Sequence, residues 1–168
     1  MHEVARRFVE RMGLHMEADG LPRSAGRMIG HLLLAESACS LDEIAESLQV
    51  SKASVSTNAR MLEQVGILER TCEPGDRRDF YCMRPDAWER MLLSARRRWE
   101  EARVLLAETA SAIPDEMRTG RQRLAEAERF HSLLIEELDT LVERWRAAPA
   151  HERGSLGALR AGEDVAAD

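Results

Sequence analysis

The sequence predicts a mainly α fold carrying a small β-hairpin wing, with a winged helix-turn-helix between Leu41 and Tyr81. Three observations predict it. Two helical stretches meet across the short turn Gln49-Val50-Ser51, the second stretch has few apolar positions, and a strand-like pair follows around the tip Glu73-Pro74-Gly75-Asp76-Arg77-Arg78. Long amphipathic segments flank this core on both sides, so the winged domain is expected to carry N- and C-terminal dimerisation helices.

Near the start, Val4, Phe8, Met12 and His15 follow helical spacing up to a break at Gly20 and Pro22. A helix from about Pro22 to Ser37 comes next, and its Gly26 and Gly30, one turn apart, let another helix pack closely. Ser40 begins the first helix of the motif as an N-cap. Glu43, three residues on, is placed to reach back to the Ser40 amide, completing a capping box. Leu41, Ile44, Ala45 and Leu48 then recur at helical spacing.

Ser51 is the N-cap candidate for the second helix. At about 100° per residue, Val55, Ala59 and Leu62 form one narrow buried stripe. Ala53, Thr57, Arg60 and Gln64 fall opposite, Ser54 and Ser56 lie on the flanks, and Lys52 sits near the start. Short hydroxyl side chains let a helix approach base edges, while Lys and Arg supply phosphate or guanine contacts. An ordinary solvated face would have the same composition, and the neighbouring elements are what favour DNA. Gly66 suits a left-handed C-terminal cap. Residues 67–72 and 80–83 then read as strands, with Pro74 and Gly75 as turn formers. Arg77 and Arg78 project from the tip, where a guanidinium can enter a minor groove or clamp a phosphate.

Beyond the wing, Pro85 and Asp86 can start a long helix whose face is traced by Trp88, Met91, Leu92, Ala95, Trp99, Ala102, Leu105, Leu106 and Thr109. Ile113-Pro114-Asp115 ends it. A further helix carries Leu124, Ala127, His131, Leu134, Leu138, Leu141 and Trp145 at alternating steps of three and four, the spacing of a coiled-coil seam. Such a seam needs a partner, in the preceding helix, in a second chain, or in both. Phe8, Trp99, Leu134, Leu138, Leu141 and Trp145 are the expected dimerisation residues. The resulting division is an N-terminal interface helix over 1–20, the winged domain over 21–84, a helical dimerisation region over 85–146 and a flexible tail over 147–168.

The strings Gly20-Leu21-Pro22-Arg23-Ser24-Ala25-Gly26-Arg27-Met28-Ile29-Gly30, Val50-Ser51-Lys52-Ala53-Ser54-Val55-Ser56 and Gly75-Asp76-Arg77-Arg78-Asp79-Phe80-Tyr81, with the Ser40 to Leu48 helix between, resemble the GbsR branch of the MarR superfamily. The resemblance spans Leu21 to Met83. It implies a homodimer that binds a double-stranded operator near the genes it controls, usually as a repressor, with a small-molecule effector often altering affinity. By matching position it assigns Lys52, Ser54, Ser56 and Arg60 to DNA, and Arg77 or Arg78 to the wing contact. Some relatives respond to choline-like molecules. Trp88, Trp99, Phe130 and Trp145 could form an aromatic cage for such a cation, although all four also sit at core-compatible spacings. Any effector pocket is expected between the dimer helices and the winged domain.

With 24 Lys and Arg against 30 Asp and Glu, the net charge of −6 argues against a protein that coats nucleic acid indiscriminately. Local placement matters more than the sum, so the basic face and wing must come together on one side of a dimer. An enzyme is the least expected class, since there is no glycine-rich phosphate loop and no nucleophile elbow. A winged-helix interaction module without DNA binding is the remaining alternative. No metal or cofactor is expected. Glu128 and His131 make a Glu-x-x-His step, but no second copy faces it, and His131 itself reads as a seam residue. The Arg96-Arg97-Arg98 run reads as a solvated face.

Cys39, Cys72 and Cys82 lack paired ligand spacing and fit a reducing compartment. A Cys72–Cys82 bridge across the wing is open, beside the simpler reading of two small strand residues. The run Met28 to Ala35 is too short to cross a bilayer and no signal-like segment opens the chain, so a cytoplasmic location is expected.

Overall fold

The computed structural model describes residues 2–72 and 75–149. Glu73 and Pro74 of the wing tip, and all of the expected tail beyond Pro149, lie outside the described residues. The chain forms two compact units, one ending at Ala87 and the other starting at Trp88.

The first unit runs α1 (Glu3–Ala18), α2 (Arg23–Leu33), β1 (Cys39–Ser40), α3 (Leu41–Leu48), α4 (Lys52–Gln64), β2 (Leu68–Thr71) and β3 (Phe80–Met83). Its core is drawn from nearly every element: Val9, Met28, Ile29, Ile44, Leu48, Val55, Leu62, Leu68, Phe80 and Met83 are buried. The strands form one antiparallel sheet in the order β1-β3-β2. Cys39 and Ser40 pair with Tyr81 and Phe80, while Leu68 and Thr71 pair with Met83 and Phe80. The third strand, β1, is too short to leave a periodic signal in the sequence. It anchors the base of the wing to the start of α3.

Helix α2 is the platform of this unit. Its glycines let α1 approach until backbone meets backbone, and a Cβ at Gly26 would lie 2.6 Å from the Met12 carbonyl oxygen. The close packing expected of Gly26 and Gly30 is therefore satisfied within the chain, by α1. The buried face of α1 differs from the expected one. Val9 and Gly13 point into the core, whereas Val4, Phe8 and His15 are exposed. Small residues on α2 select a smooth face of α1, and the bulkier Val4–Phe8 face remains outside.

The second unit contains α5, which begins at the boundary (Ala87–Ala112), and α6 (Arg118–Ala147). Trp99 stands against His131, with ring centroids 4.8 Å apart. Arg103 reaches Glu128 at 3.3 Å and Arg146 reaches Glu89 at 2.7 Å, which sets the two helices antiparallel. The buried line on α6 is Ile135 and Val142. The expected seam is rotated from it: His131, Leu138 and Trp145 border this line and are half-buried, while Leu141 lies on the exposed side. A steps-of-three-and-four pattern cannot separate two adjoining apolar faces of one helix.

Candidate DNA-binding surface

The start of α3 is fixed by the reciprocal cap expected from Ser40 and Glu43. The Ser40 amide donates to the Glu43 carboxylate at 2.8 Å, and the Glu43 amide donates to the Ser40 hydroxyl at 3.3 Å. Those bonds hold the Glu43 carboxyl below the usual carboxylate range. At its other end α3 closes on Gln49, whose φ of 52° places a non-glycine residue in the left-handed region. The Arg27 guanidinium supports this end by donating to the Leu48 carbonyl at 2.8 Å, while also pairing with Glu10 at 2.7 Å. One arginine thereby ties α1, α2 and the turn of the motif together. Sequence reading did not single it out, because its role depends on contacts remote in sequence.

Ser51 caps α4 by accepting from the Ser54 amide at 3.2 Å. Val55, Ala59 and Leu62 are buried, fixing the rotation of the helix. Ala53, Thr57, Arg60 and Gln64 are exposed on the other side, with Ser54 and Ser56 half-buried on the flanks. The Arg60 Nε donates back to the Ser56 carbonyl at 3.3 Å. Lys52 is exposed and forms an ion pair with Asp42 at 2.7 Å. Because both partners are more than half exposed, that pair contributes only about 0–1 kcal/mol. A phosphate can displace it at little cost. Helix α4 ends in a left-handed Gly66 at φ 79°, with the Ile67 amide donating to the Leu62 carbonyl at 2.9 Å. This turn sends the chain directly into β2.

On the wing, the two arginines differ. Arg78 is held inside its own domain: its guanidinium grips Asp76 at 2.7 Å, approaches Glu43 at 3.8 Å and lies 5.1 Å over the Phe80 ring. Asp76 is drawn below the usual carboxylate range, first by the Arg78 side chain and next by the Arg78 amide. Arg77 is exposed and has no ion pair among the described residues. Of the acids near the surface, Asp42 is paired by Lys52 and Asp76 by Arg78, which also lies 3.8 Å from Glu43, while Glu63 near the end of α4 is exposed. This pairing is how an acidic chain keeps the surface from being repulsive to phosphate.

A Cys72–Cys82 bridge does not fit the sheet. Cys82 pairs with Glu69 while Thr71 already pairs with Phe80, which leaves the two cysteines about 10 Å apart along the ladder. Neither cysteine is disulfide-bonded. Trp99 and Phe130 each pair with the His131 ring, and no ring pair between these two and Trp88 or Trp145 occurs among the described residues. No metal-ligand cluster occurs among the described residues, and no described helix is long and apolar enough to cross a membrane.

Residues 19–79 match the family model of the MarR family, and residues 86–148 match that of MmpR5-like MarR family transcriptional regulators. A solved structure of a transcriptional regulator is 32% identical, with a TM-score of 0.78, over 86% of this chain and 99% of its own. The chain belongs to the MarR family of winged-helix transcription regulators. Among curated relatives, the HTH-type transcriptional regulator MmpR5 of Mycobacterium tuberculosis (strain ATCC 25618 / H37Rv) is 45% identical over 82 residues, 48% of this chain and 50% of the relative. The HTH-type transcriptional repressor OpcR of Bacillus subtilis (strain 168) is 27% identical over 82 residues, 49% of this chain and 44% of the relative. This MarR-family chain therefore spans about half the length of the curated relatives it matches.

Proposed function

We propose that this MarR-family chain is a sequence-specific DNA-binding repressor that works as a homodimer in the cytoplasm and has no catalytic activity of its own. The observation that carries the reading is the rotation of α4. With Val55, Ala59 and Leu62 buried, Ala53, Thr57, Arg60 and Gln64 face outward as small, polar or basic residues, as a major-groove helix requires, and the one exposed acid of the helix, Glu63, lies near its C-terminal end. Thr57 and Arg60 are the base-edge candidates, with Ala53 leaving room for a close approach. Lys52, Ser54 and Ser56 border them and supply phosphate contacts. Arg77, without an ion pair among the described residues, reaches for a phosphate or the adjacent minor groove, while Arg78 is presented in the fixed orientation that Asp76 imposes.

Assignment to the GbsR branch rests on the motifs from Leu21 to Met83; residues 86–148 match the MmpR5-like regulators instead. A small-molecule effector is carried by the family resemblance alone.

Duplexes enriched by the protein from a random library, retested by gel shift across salt concentrations, test the reading. Specific retention should weaken as salt rises, because released counterions drive phosphate contacts. Arg77→Ala is expected to lower affinity for all sequences and to reduce the log-log salt slope by about 1. Arg60→Ala should instead cost about 1–3 kcal/mol on the enriched sequence and relax discrimination at one base position. An unselective parent would overturn the proposal in favour of a winged-helix interaction module.

A further inference from the structure

Asn58 lies within α4 between the outward residues Thr57 and Arg60, yet it is only 5% exposed. Its Nδ2 donates to the Ser24 hydroxyl of α2 at 2.8 Å. It is one of only two buried polar side chains among the described residues, the other being the Ser40 cap. Nothing in the caps or the strand pairing requires an amide at this place. A leucine, branched at the same carbon though larger, would continue the stripe of Val55, Ala59 and Leu62 with apolar surface.

That stripe is a weak determinant of rotation. Val55 and Ala59 are small, and apolar contacts are non-directional, so a turn of α4 by several degrees leaves most of the burial intact. A buried amide-to-hydroxyl bond is directional, and breaking it strands a desolvated donor. Such a bond admits one rotation of α4 against α2. Helix α2 is itself immobilised by the backbone contact of Gly26 with α1 and by Arg27, which bonds the Leu48 carbonyl. The reference for the recognition helix is therefore the rigid platform of the unit.

We infer that Asn58 is a positioning residue for DNA reading: its bond to Ser24 fixes the angle at which Thr57 and Arg60 are presented, so it sets selectivity without touching DNA. The inference rests on the DNA-binding function proposed above. Base-edge hydrogen bonds tolerate little angular error, whereas phosphate contacts from flexible Lys and Arg side chains tolerate much. Loss of the bond should therefore reduce selective binding far more than general binding.

The test compares parent, Asn58→Leu, Ser24→Ala and Ser24→Thr on the duplex the parent enriches and on a scrambled duplex, with a thermal melt for each. Asn58→Leu and Ser24→Ala are expected to lose about tenfold in the ratio of selective to scrambled affinity, with scrambled binding and salt slope near those of the parent. Ser24→Ala, which removes only a hydroxyl, should melt close to the parent temperature, and Ser24→Thr, which keeps the hydroxyl, should keep the parent ratio. A merely structural residue would move the melt and leave the ratio alone. Should Asn58→Leu fold poorly, the Ser24→Ala and Ser24→Thr pair decides alone. Parent-like ratios in Asn58→Leu and Ser24→Ala, while the parent discriminates, overturn this inference and leave the DNA reading standing; a parent that does not discriminate overturns both.

Discussion

His31 is half-buried on α2, with Nδ1 3.4 Å from the Ser47 hydroxyl of α3, and burial holds its pKa below the ordinary 6.5. The folded state therefore binds a proton less readily than the unfolded chain. Stability from this source is complete above about pH 6.5 and is lost as the pH falls through 6.5 toward the lower folded value. Between pH 7 and 5 the melting temperature is expected to drop more steeply for the parent than for His31→Gln, which cannot charge. Equal slopes would show that the imidazole takes up its proton equally in the folded and unfolded states. Charge pairing at single residues also explains the acidic balance of the chain. Lys52 on Asp42 and Arg78 on Asp76 leave Arg60 and Arg77 as the basic groups of the α4 face and wing without a carboxylate partner among the described residues. Which wing arginine is held and which is free was not legible in the sequence, since both stand side by side at the tip. Geometry separates them through the Asp76 fork.

Individual elements were legible wherever their signal is local. The Ser40–Glu43 box, the Ser51 cap, the Gly66 turn and the rotation of α4 each follow from residues within one or two turns, and the structure contains all four. What was not legible depends on partners far along the chain. The two-residue β1, the choice of Val9 and Gly13 as the buried face of α1, and the Ile135–Val142 line of α6 are decided by what packs against them. The α1–α2 contact can be tested by one methyl group. At Gly26 a Cβ would meet the Met12 carbonyl oxygen at 2.6 Å, the Met16 Cβ at 2.8 Å and the Gly13 Cα at 2.9 Å, and backbone cannot move aside cheaply. Gly26→Ala should destabilise the first unit by about 1–3 kcal/mol. Gly120→Ala on α6 is the control: its nearest neighbour is 3.8 Å away, so replacing a helical glycine should be neutral or stabilise by up to about 1 kcal/mol. Thermal melts of the two variants should move in opposite directions, or one should fall while the other stays; two unchanged melts would mean that α1 does not dock as described.

At the scale of the whole molecule, the second unit is the part that a single chain leaves incomplete. Its two long helices bury only Ile135 and Val142 among large side chains, while Phe130 is 55% exposed, Leu133 54% and Leu141 46%. Phe130, Leu134 and Leu141 lie within about 40° of one another around α6, forming a stripe adjacent to the Ile135–Val142 line. Ion pairs such as Arg96 with Asp139 at 2.9 Å lock the hairpin but supply little burial. Its stability should therefore depend on a second copy covering the stripe, in the manner of dimers whose folding is linked to association. A dimer also answers the weak basic character of one chain, because two α4 faces on half-sites about 34–36 Å apart combine their contacts. The parent is expected to melt at a temperature that rises with protein concentration and to scatter light as a dimer. Phe130→Glu combined with Leu141→Glu should give a monomer whose melt no longer depends on concentration and whose affinity for the enriched duplex falls by more than tenfold. The first unit, whose core contains neither residue, should keep its own melt. A parent that scatters as a monomer at every concentration, or a double variant that remains dimeric, would move the interface elsewhere, and the exposed Val4–Phe8 face of α1 would be the next surface to charge.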